Sequence, residues 1–344
     1  MVYLDIIDVN SVLHSAHNVD SISTERVCGC PNGALSVLFR KIAYLLSTDH
    51  HVICAFDSKT DRKTIIPEYK ANRTKVPEVI LQSELAYNLL TELNISCVKV
   101  DGFEADDLVY SLCNKYNMKV PRIYIHSSDK DLAHNITNTR IEILSVNSNS
   151  LNINYGNFVE VFAEPDFKTP LNMVTLKKVF LGDSSDNIKP FKSYKGVSGV
   201  KLFKRVLENV KEYSVYDPVL NRTEEFADIM IDALQLEEAD NEELRRRMKI
   251  FFPREAEHSE LIEPVSIDSI NVSHFGSVLR SIRCFEGLRS LRIPSSTSPS
   301  PRVNEMLMDY GKRFKSGEFH VDKNLSLSDE LFGLDDSSVF IRDL

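Results

Sequence analysis

The sequence contains no apolar run that approaches the roughly 18 residues needed to span a membrane. Its first apolar stretch, MVYLDIIDVN, already carries Asp5 and Asp8, whereas the apolar part of a secretory signal is free of charge. We therefore expect neither a membrane segment nor a signal peptide, and we predict a cytoplasmic protein with no membrane partner.

Two further patterns are missing. The six cysteines include one C-x-C, Cys28-Gly29-Cys30, without a matching second pair, which is typical of reduced thiols rather than of a zinc site or a disulfide framework. The nine histidines form no zinc-protease motif, and no segment of the chain is repeated. The sequence thus gives no indication of a disulfide-rich, zinc-protease or repeat protein.

The net charge is −9 at pH 7, but its distribution is more informative than its sum. Basic and acidic residues balance over residues 1–213, so the acidic excess lies in residues 214–344. Lysine and arginine cluster within residues 58–76 and again within residues 189–211. Two basic segments flanking acidic clusters suit a polyanion held over a metal site; the alternative is that each segment is a solvated face.

At 344 residues the chain is long for one domain, and two domains, or one domain with appendages, are expected. In the first half, apolar runs such as MVYLDIID and HHVICAFD alternate with helical patterns such as GALSVLFRKIAYLL. This alternation predicts an α/β fold with a mostly parallel central sheet flanked by helices. Later residues are mainly helical in pattern, with a glycine-rich break at KGVSGVK, and PSSTSPSP at 294–301 has the composition of a linker.

Acidic residues follow several of the predicted strands. Asp8, Asp57 and Asp129 lie at or just after the ends of apolar runs, and Glu104 follows another such run. Further acidic positions are Asp106, Asp107, Asp131, Asp183 and Asp186. Because the carboxyl ends of parallel strands meet at one edge of a sheet, we expect these groups to converge there.

Each of these residues alone has another explanation, since acidic side chains also cap helices and oppose the helix dipole. Together, however, the carboxylates repel one another and cannot all stay ionised without cations. Mg²⁺ binds carboxylate oxygens beside phosphate substrates, and two ions about 3.5–4 Å apart can activate water and stabilise a phosphate during cleavage. The pattern therefore predicts a two-ion site for phosphate chemistry.

Three segments, GFEADDLVYSL, SSDKDL and LGDSSDNI, follow one another in a characteristic order. They resemble the 5′-nuclease superfamily, which includes the 5′-nuclease domain of bacterial DNA polymerase I, stand-alone phage 5′-exonucleases and RNase H enzymes, and flap endonucleases. The segments IIDVNSVLHSAH, AFDSKTDRKTIIPEYKANRTKVPE and GVSGV extend the resemblance over residues 3–285.

The resemblance implies two Mg²⁺ or Mn²⁺ ions. One metal position would be formed by Asp8, Asp57, Glu104, Asp106 and Asp107. The second position would be supported by Asp129, Asp131, Asp183 and Asp186.

The resemblance also implies a set of basic residues that bind DNA. Lys70 and Arg73 match the catalytic residues of a helical arch that grip the scissile phosphate, and their i, i+3 spacing predicts one shared helix face. DNA contacts are further expected from Arg62 and Lys63, and from a helix–hairpin–helix element that contains Gly196, Gly199, Lys201, Lys204 and Arg205. Its glycines let backbone N–H groups approach a duplex phosphate, and a K⁺ ion at the hairpin is a further expectation.

The expected domains are a PIN-like α/β nuclease core over residues 1–172 with a helical arch at about 58–95, a helix–hairpin–helix and helical C-terminal subdomain over 173–290, and a linker and acidic tail over 291–344. Two features depart from the family pattern. KPFKSY stands between SDNI and the hairpin glycines. LSLSDELFGL in the tail is similar to peptides that dock on sliding clamps or other replication proteins; the alternatives are a disordered tail or a short packing helix.

The function implied by the resemblance is that of a metal-dependent, structure-selective 5′ nuclease. It would hydrolyse phosphodiester bonds at 5′ flaps and 5′ ends of DNA during replication or repair, with RNA–DNA hybrids as further substrates of an RNase H activity. No polymerase module follows residue 344, so we expect a separate, monomeric protein of phage type that acts in the host cytoplasm.

Two alternatives remain open at this stage. A catalytically silent scaffold could bind DNA junctions with the same fold, although binding alone would not require the complete acidic set. An RNA nuclease of the PIN class would share the carboxylate cluster, but that class typically lacks the YKANR segment and the hairpin.

Overall fold

The computed structural model describes residues 2–146, 151–162, 172–209, 223–257, 259–294 and 296–316. The strands within these ranges are β1 (Leu4–Asp8), β2 (Arg26–Val27), β3 (Cys30–Pro31), β4 (His51–Ala55), β5 (Cys97–Val98), β6 (Ile123–His126), β7 (Ile141–Leu144) and β8 (Ile153–Asn154). Six of them form one sheet in the order β5-β4-β1-β6-β7-β8, while β2 and β3 form a separate antiparallel hairpin.

Within the six-stranded sheet, every neighbouring pair is parallel except β7 and β8. Parallel strands need crossover connections, which here contain helices. The predicted α/β class with a mostly parallel central sheet is therefore confirmed.

The helices of the described residues lie between and after these strands. They are α1 (Val9–His17), α2 (Asp20–Ser23), α3 (Gly33–Ser47), α4 (Arg62–Ile65), α5 (Pro77–Glu92), α6 (Ala105–Tyr116), α7 (Phe158–Phe162), α8 (Lys177–Leu181), α9 (Gly199–Asn209), α10 (Thr223–Leu234), α11 (Glu238–Phe251), α12 (Val272–Ser281), α13 (Phe285–Ser290) and α14 (Pro301–Ser316). Lys130–Asn135 and Ile267–Ser269 form 3₁₀ turns, and Asn172–Leu176 forms a π-helical turn ahead of α8. None of the described helices is both long enough and apolar enough to cross a membrane.

The sheet separates two apolar cores, and β1 contributes to both because successive strand residues point to opposite faces. Leu4 and Ile6 belong to the core that also contains apolar residues of α6, α8 and α9. Ile7 belongs to the core on the other face, which is formed with α3 and α5. All five residues of β1 are buried, so the strand fixes the point at which Asp8 reaches the sheet edge.

A long hairpin joins α8 to α9. It contains two short antiparallel bridges, Asp183 with Ile188 and Lys192 with Ser198. Gly199 begins α9 in close contact with the end of α8, because a Cβ atom at this position would lie 2.0 Å from the carbonyl oxygen of Phe180. The two helices and the hairpin are thus packed as one element.

The predicted helical arch differs from the structure. Between α4 and α5, residues 66–76 form turns and extended segments rather than helix. Lys70 has a φ of +54°, which lies outside the right-handed helical region. The prediction that Lys70 and Arg73 share a helix face is therefore wrong; Thr74–Val76 instead lead directly into Pro77 at the start of α5.

The predicted linker and tail from residue 291 also differ from the structure. Residues 301–316 form α14, and its side chains Val303, Leu307 and Tyr310 are buried in the core that contains α3 and α5. The sequence pattern showed the Pro- and Ser-rich approach to this helix but not its packing. The LSLSDELFGL segment, with its predicted clamp contact, lies outside the described residues.

Candidate active site

A cavity of about 420 Å³ opens at the carboxyl ends of β1, β4 and β6. Strand β4 pairs with one edge of β1, and β6 pairs with the other edge. The order of the strands therefore reverses at β1. Crevices at such reversals of strand order are the usual ligand sites of open α/β sheets. The cavity is lined by eight of the nine predicted acidic residues: Asp8, Asp57, Glu104, Asp106, Asp107, Asp129, Asp131 and Asp186.

Asp8 and Asp57 are oriented by neutral donors. Asp8 is the last residue of β1 and caps α1, where its Oδ1 accepts from the backbone N–H of Ser11 at 3.1 Å. Its other oxygen accepts from the hydroxyl of Ser127 at 2.8 Å. Asp57 accepts from the side-chain amide of Asn10 at 2.5 Å and from the backbone N–H of Ala105 at 2.8 Å.

Asp106 and Asp129 lie in the same cavity. Among the described residues, no lysine, arginine or histidine forms an ion pair with Asp8, Asp57, Asp106 or Asp129. We refer to these four residues as the unpaired carboxylates. They are contributed by the ends of β1 and β4, the start of α6 and the loop after β6.

Burial and mutual repulsion raise the pKa values of two unpaired carboxylates. Burial, followed by the charge of Asp57, raises the pKa of Asp8 to about 7. Burial, followed by the charges of Asp129 and Asp8, raises the pKa of Asp106 well above its ordinary value. A cation bound among these groups would offset the repulsion, and an all-oxygen donor set suits Mg²⁺ or Mn²⁺.

Glu104 and Asp107 have a different environment from the unpaired carboxylates, because both are ion-paired with Arg62. Glu104 also accepts from Lys70 Nζ and from the Tyr69 hydroxyl, each at 2.9 Å. Burial acts to raise the pKa of Glu104, but Lys70 and Arg62 hold it below its ordinary value.

This pairing corrects the prediction that Arg62 contacts DNA. The Arg62 side chain is only 5% exposed, and its guanidinium group is held by two carboxylates. Asp107 is fully buried and also accepts from the backbone N–H of Arg254 at 2.8 Å. Arg62 therefore lines the cavity as a buried ion-pair partner that holds Glu104 and Asp107 at the start of α6.

Three of the four acidic residues predicted for the second metal position, Asp131, Asp183 and Asp186, are also paired with cations. Lys178, on α8, lies between Asp131 and Asp183, and its Nζ is 2.5 Å from Asp183 Oδ2. Arg73 donates to Asp186 at 2.6 Å. Burial opposes the shift, but Lys178 and the hydrogen bonds of Ser185 lower the pKa of Asp183 to about 2.

As a result, no three His, Cys, Asp or Glu side chains in the described part of the chain are already arranged to hold a metal ion. Glu104, Asp131 and Asp183 are each engaged by neighbouring cations. The four unpaired carboxylates fit a divalent ion by their chemistry, and the remaining acidic residues surround them.

Lys70 and Arg73 both line the cavity, although they are not on a helix. The backbone N–H of Lys70 donates to the carbonyl oxygen of Asp186 at 2.9 Å, which fixes the turn that carries both cations. Their ammonium and guanidinium groups contact Glu104 and Asp186, respectively. Two cations thus face the acidic cavity from one side. A phosphate in the cavity could replace the carboxylates as their partner.

The predicted hairpin cations lie on the surface. Lys201, Lys204 and Arg205 are exposed on α9, and none forms an ion pair with another described residue. Gly196 has a φ of +77°, in the region that favours glycine. Lys63 is half-buried on α4.

Two site residues were missed at the level of sequence. Lys178 lies five positions before Asp183 within an apolar helical pattern, and Arg254 lies in a loop about 150 residues from its partner Asp107. Arg254 also donates to Asp61 at 2.8 Å and to the carbonyl oxygen of Gly102. Neither position carried a local signal, because both contacts depend on the tertiary fold.

The N-terminal part of the chain is similar to known proteins. Residues 3–163 match the sequence model of the family described as 5′-3′ exonuclease, N-terminal resolvase-like domain. The 5′-3′ exonuclease of Bacillus subtilis strain 168 is 32% identical over 196 residues, which cover 55% of this chain and 60% of that protein. The 5′-3′ exonuclease of Buchnera aphidicola subsp. Schizaphis graminum is 32% identical over 170 residues, which cover 46% of this chain and 55% of that protein. The chain therefore spans somewhat more than half the length of these relatives.

A solved structure of T5 5′-exonuclease with bound zinc ions is 15% identical to the chain, with a TM-score of 0.48. The match covers 90% of this chain and 98% of that chain. The strands, helices and contacts of this chain itself define its fold and its candidate site.

Proposed function

We propose that this protein is a metal-dependent, structure-selective 5′ nuclease, because residues 3–163 match the family model described as 5′-3′ exonuclease, N-terminal resolvase-like domain. Its substrates would be 5′ flaps and 5′ ends of DNA, with RNA–DNA hybrids as a second substrate. The reaction would be hydrolysis of a phosphodiester bond next to a junction between single-stranded and duplex DNA.

The observation that carries the proposal is the set of unpaired carboxylates at the sheet edge. The side chains of Asp8 and Asp106 have raised pKa values, and charges of their acidic neighbours contribute to both shifts. Four carboxylates concentrated in one cavity are unfavourable unless a cation binds there. Capping accounts for Asp8 and Asp129, each of which accepts a backbone N–H at the start of a helical turn, but it does not account for the whole cluster.

The residues that would hold the metal are Asp8, Asp57, Asp106 and Asp129, with Glu104, Asp107, Asp131, Asp183 and Asp186 around them. When bound, divalent ions would lower the pKa of water and stabilise the negative charge that develops on the phosphate. Lys70 and Arg73 would hold the phosphate in the cavity, because each can exchange its carboxylate partner for a phosphate oxygen. Arg62 and Lys178 would hold the acidic residues with which they pair in place around the metal ligands.

The hairpin and α9 would hold the duplex beside this site. Lys201, Lys204 and Arg205 occupy positions i, i+3 and i+4 of α9 and are all exposed, so they share one helix face. Backbone N–H groups near Gly196 and Gly199 would approach phosphates where a side chain would be in the way. The duplex arm would then lie one hairpin away from Asp183 and Asp186.

The test is cleavage of a DNA duplex with a 5′-labelled flap, in Mg²⁺ and in EDTA. We expect release of the flap in Mg²⁺ only. Asp106→Asn should slow cleavage by roughly a hundredfold or more while leaving flap binding in EDTA and the melting temperature at or above wild type, since a repelling charge is removed. Asp49→Asn is the matched control, because Asp49 is exposed and has a φ of +58° that asparagine tolerates.

Other outcomes separate the alternatives. Tight binding of the flap without cleavage, by folded wild-type protein in Mg²⁺, would identify a silent junction-binding scaffold instead. Preferential cleavage of single-stranded RNA over the flap would favour the PIN-type RNA nuclease. An RNA primer annealed to DNA, tested in parallel, would establish whether hybrids are cleaved.

A further inference from the structure

Tyr194 is the most exposed of the large hydrophobic residues on the described surface, with 83% of its area accessible to solvent. It lies in the KPFKSY segment that precedes the hairpin glycines. Single exposed aromatic residues are common on protein surfaces, so exposure alone does not indicate a contact. The construction of the loop around Tyr194 is what suggests a role.

The loop that carries Tyr194 is closed by its own hydrogen bonds. The backbone N–H of Ser193 donates to the carbonyl oxygen of Val197 at 3.0 Å, and the backbone N–H of Val197 donates to the Ser193 hydroxyl at 2.9 Å. The backbone N–H of Gly196 donates to the carbonyl oxygen of Ser193 at 2.8 Å. Tyr194 and Lys195 are therefore held at the tip of a tight turn.

The same turn is anchored to the start of α11. The backbone N–H of Tyr194 donates to Asp240 Oδ1 at 2.7 Å, and Asp240 is itself only 6% exposed. Lys195 forms an ion pair with Glu237. The backbone of Tyr194 is thus fixed by a buried carboxylate while its ring points into solvent, which lowers the entropy lost when the ring makes a contact.

The segments on both sides of Tyr194 are basic. Lys189 and Lys192 precede it in the hairpin, Lys201 and Lys204 follow it on α9, and all four are exposed and form no ion pair with a described residue. The acidic residues that the loop contacts, Glu237 and Asp240, are already engaged by it. An aromatic ring presented among unpaired lysines suits a polyanion that also offers apolar surface.

We infer that Tyr194 packs against the deoxyribose groups of the duplex that the hairpin binds. This inference rests on the proposed function, because it requires that the hairpin and α9 hold duplex DNA. Sugar and phosphate contacts position a protein on a duplex without reading its sequence. Tyr194 would therefore add affinity for the duplex arm, independent of base sequence, and would not act on the scissile phosphate.

The experiment measures the Kd of a fluorescent 5′-flap DNA by anisotropy in EDTA, so that no cleavage occurs. We expect Tyr194→Ala to raise the Kd about fivefold to tenfold, as for loss of one aromatic contact, and Tyr194→Phe to stay within about twofold of wild type. Tyr44→Ala is the control, because Tyr44 on α3 is also exposed, at 58%. In Mg²⁺, the KM of Tyr194→Ala should rise while kcat is unchanged.

A salt titration distinguishes a ring contact from a charge effect. A neutral ring releases no counterions, so the slope of log K against log salt should be the same for Tyr194→Ala and wild type, whereas Lys192→Gln should reduce it by about 0.9. Wild-type affinity in Tyr194→Ala would overturn the inference, as would an equal loss of affinity for single-stranded DNA. Failure of wild-type protein to bind the flap DNA would instead reject the proposed function.

Discussion

Lys178 is the cation on which two acidic residues of the site depend. Its ammonium group lies between Asp131 and Asp183; Lys178 and Asp183 are largely buried, whereas the Asp131 side chain is 35% exposed. Burial, followed by the charge of Asp129, raises the pKa of Asp131 to about 7 despite this lysine. Removal of Lys178 would leave these two carboxylates, one of them largely buried, without their shared cation, which is costly in free energy.

We therefore predict that Lys178→Met lowers the free energy of unfolding by roughly 3 kcal/mol in EDTA. Saturating Mn²⁺ should restore much of this loss, because an ion that binds only the folded state stabilises it. Urea unfolding with and without Mn²⁺ measures both effects. Lys201→Met, at an exposed position of α9, should behave as wild type; a Lys178→Met protein that is destabilised and does not respond to Mn²⁺ would contradict the metal assignment.

His126 gives a prediction for pH at the residue scale. Its Nε2 lies 2.5 Å from Asp5 Oδ1, and His50 Nδ1 lies 2.5 Å from the other oxygen of Asp5. Burial lowers the pKa of His126; Asp5 opposes this shift, and Lys41 and His50 add to it. As the pH falls, the unfolded chain therefore protonates this histidine at a higher pH than the folded chain does. The free energy of unfolding decreases as the pH falls below the ordinary pKa of histidine.

We expect the wild-type protein to lose up to about 1.4 kcal/mol of stability per pH unit below about pH 6.5 from this group. His126→Gln should show a flatter dependence over the same window in urea titrations at pH 7.0 and 5.5. His274→Gln, at a partly exposed site on α12, is the control. Identical pH profiles for wild type and His126→Gln would refute the assignment.

At this scale the sequence indicated the acidic residues but not their partners. Asp8, Asp57 and Asp129 lie at strand ends, and a strand end can be read from an apolar run followed by a carboxylate. We predicted from the sequence that Arg62 contacts DNA because it is a basic residue in a basic segment. Such a segment has no local feature that distinguishes an arginine in a buried ion pair from one in an exposed contact. Only the packing of α4 against α6 makes that distinction.

Helix α14 covers the hairpin of β2 and β3 and one side of α5. Tyr310 donates to Glu84 on α5 at 2.8 Å, and a Cβ atom at Gly311 would lie 2.4 Å from the carbonyl oxygen of Cys28. This close packing shows that the helix is part of the core. Residues 301–316 should therefore be required for stability.

Two neighbouring positions of α14 test this requirement. Leu307 is fully buried and Met308 is 50% exposed, so Leu307→Ala should cost about 2–5 kcal/mol and Met308→Ala less than about 0.5 kcal/mol. Urea unfolding monitored by circular dichroism measures the difference. Similar values for the two variants would show that α14 is not packed in solution.

The hairpin offers a second test at the scale of an element. Gly199→Ala should push α9 away from α8, because the added carbon would lie 2.0 Å from the Phe180 carbonyl oxygen. We expect a stability loss of about 2–3 kcal/mol and weaker binding of flap DNA. Gly156→Ala is the control, since a Cβ there meets only the Asn154 side chain at 3.3 Å; unchanged flap affinity in a folded Gly199→Ala protein would separate the hairpin from DNA binding.

The alternation of strands and helices in the first half was predictable, because apolar residues there recur at the spacing that is typical of a strand or of a helix. The turns of residues 66–76 and the packing of α14 were not. The YKANR segment has helical spacing, but the backbone hydrogen bond from Lys70 to Asp186 selects a turn. Helix α14 is preceded by Ser- and Pro-rich residues whose composition matches that of flexible linkers.

Across the whole molecule, the net charge is negative, but positive charges are concentrated on one part of the surface. The chain carries a net charge of −9, yet the hairpin and α9 present five exposed cations that form no ion pair with a described residue: Lys189, Lys192, Lys201, Lys204 and Arg205. Affinity for duplex DNA should therefore fall steeply with salt, although the protein is acidic. A locally basic surface accounts for such behaviour where the total charge does not.

We predict that Lys204→Gln with Arg205→Gln reduces the slope of log K against log KCl by about 1.8, or about 0.9 per phosphate contact. Arg302→Gln with Lys312→Gln, which removes an exposed arginine and an exposed lysine from α14, should leave the slope unchanged. Equal slopes for both double variants would mean that α9 does not contact phosphates.

The contact between α14 and the β2–β3 hairpin also has a consequence for biosynthesis. Gly29 and Gly311 are neighbours in space but are made far apart in time. At about 5–20 residues per second, a ribosome needs roughly 15–60 s between them. All nine acidic residues of the candidate site are translated well before α14. A nascent chain therefore carries all of them while the apolar residues that pack against α14 are still exposed. Chaperones that bind exposed apolar surface would therefore meet this protein at the β2–β3 hairpin and α5 rather than at the site.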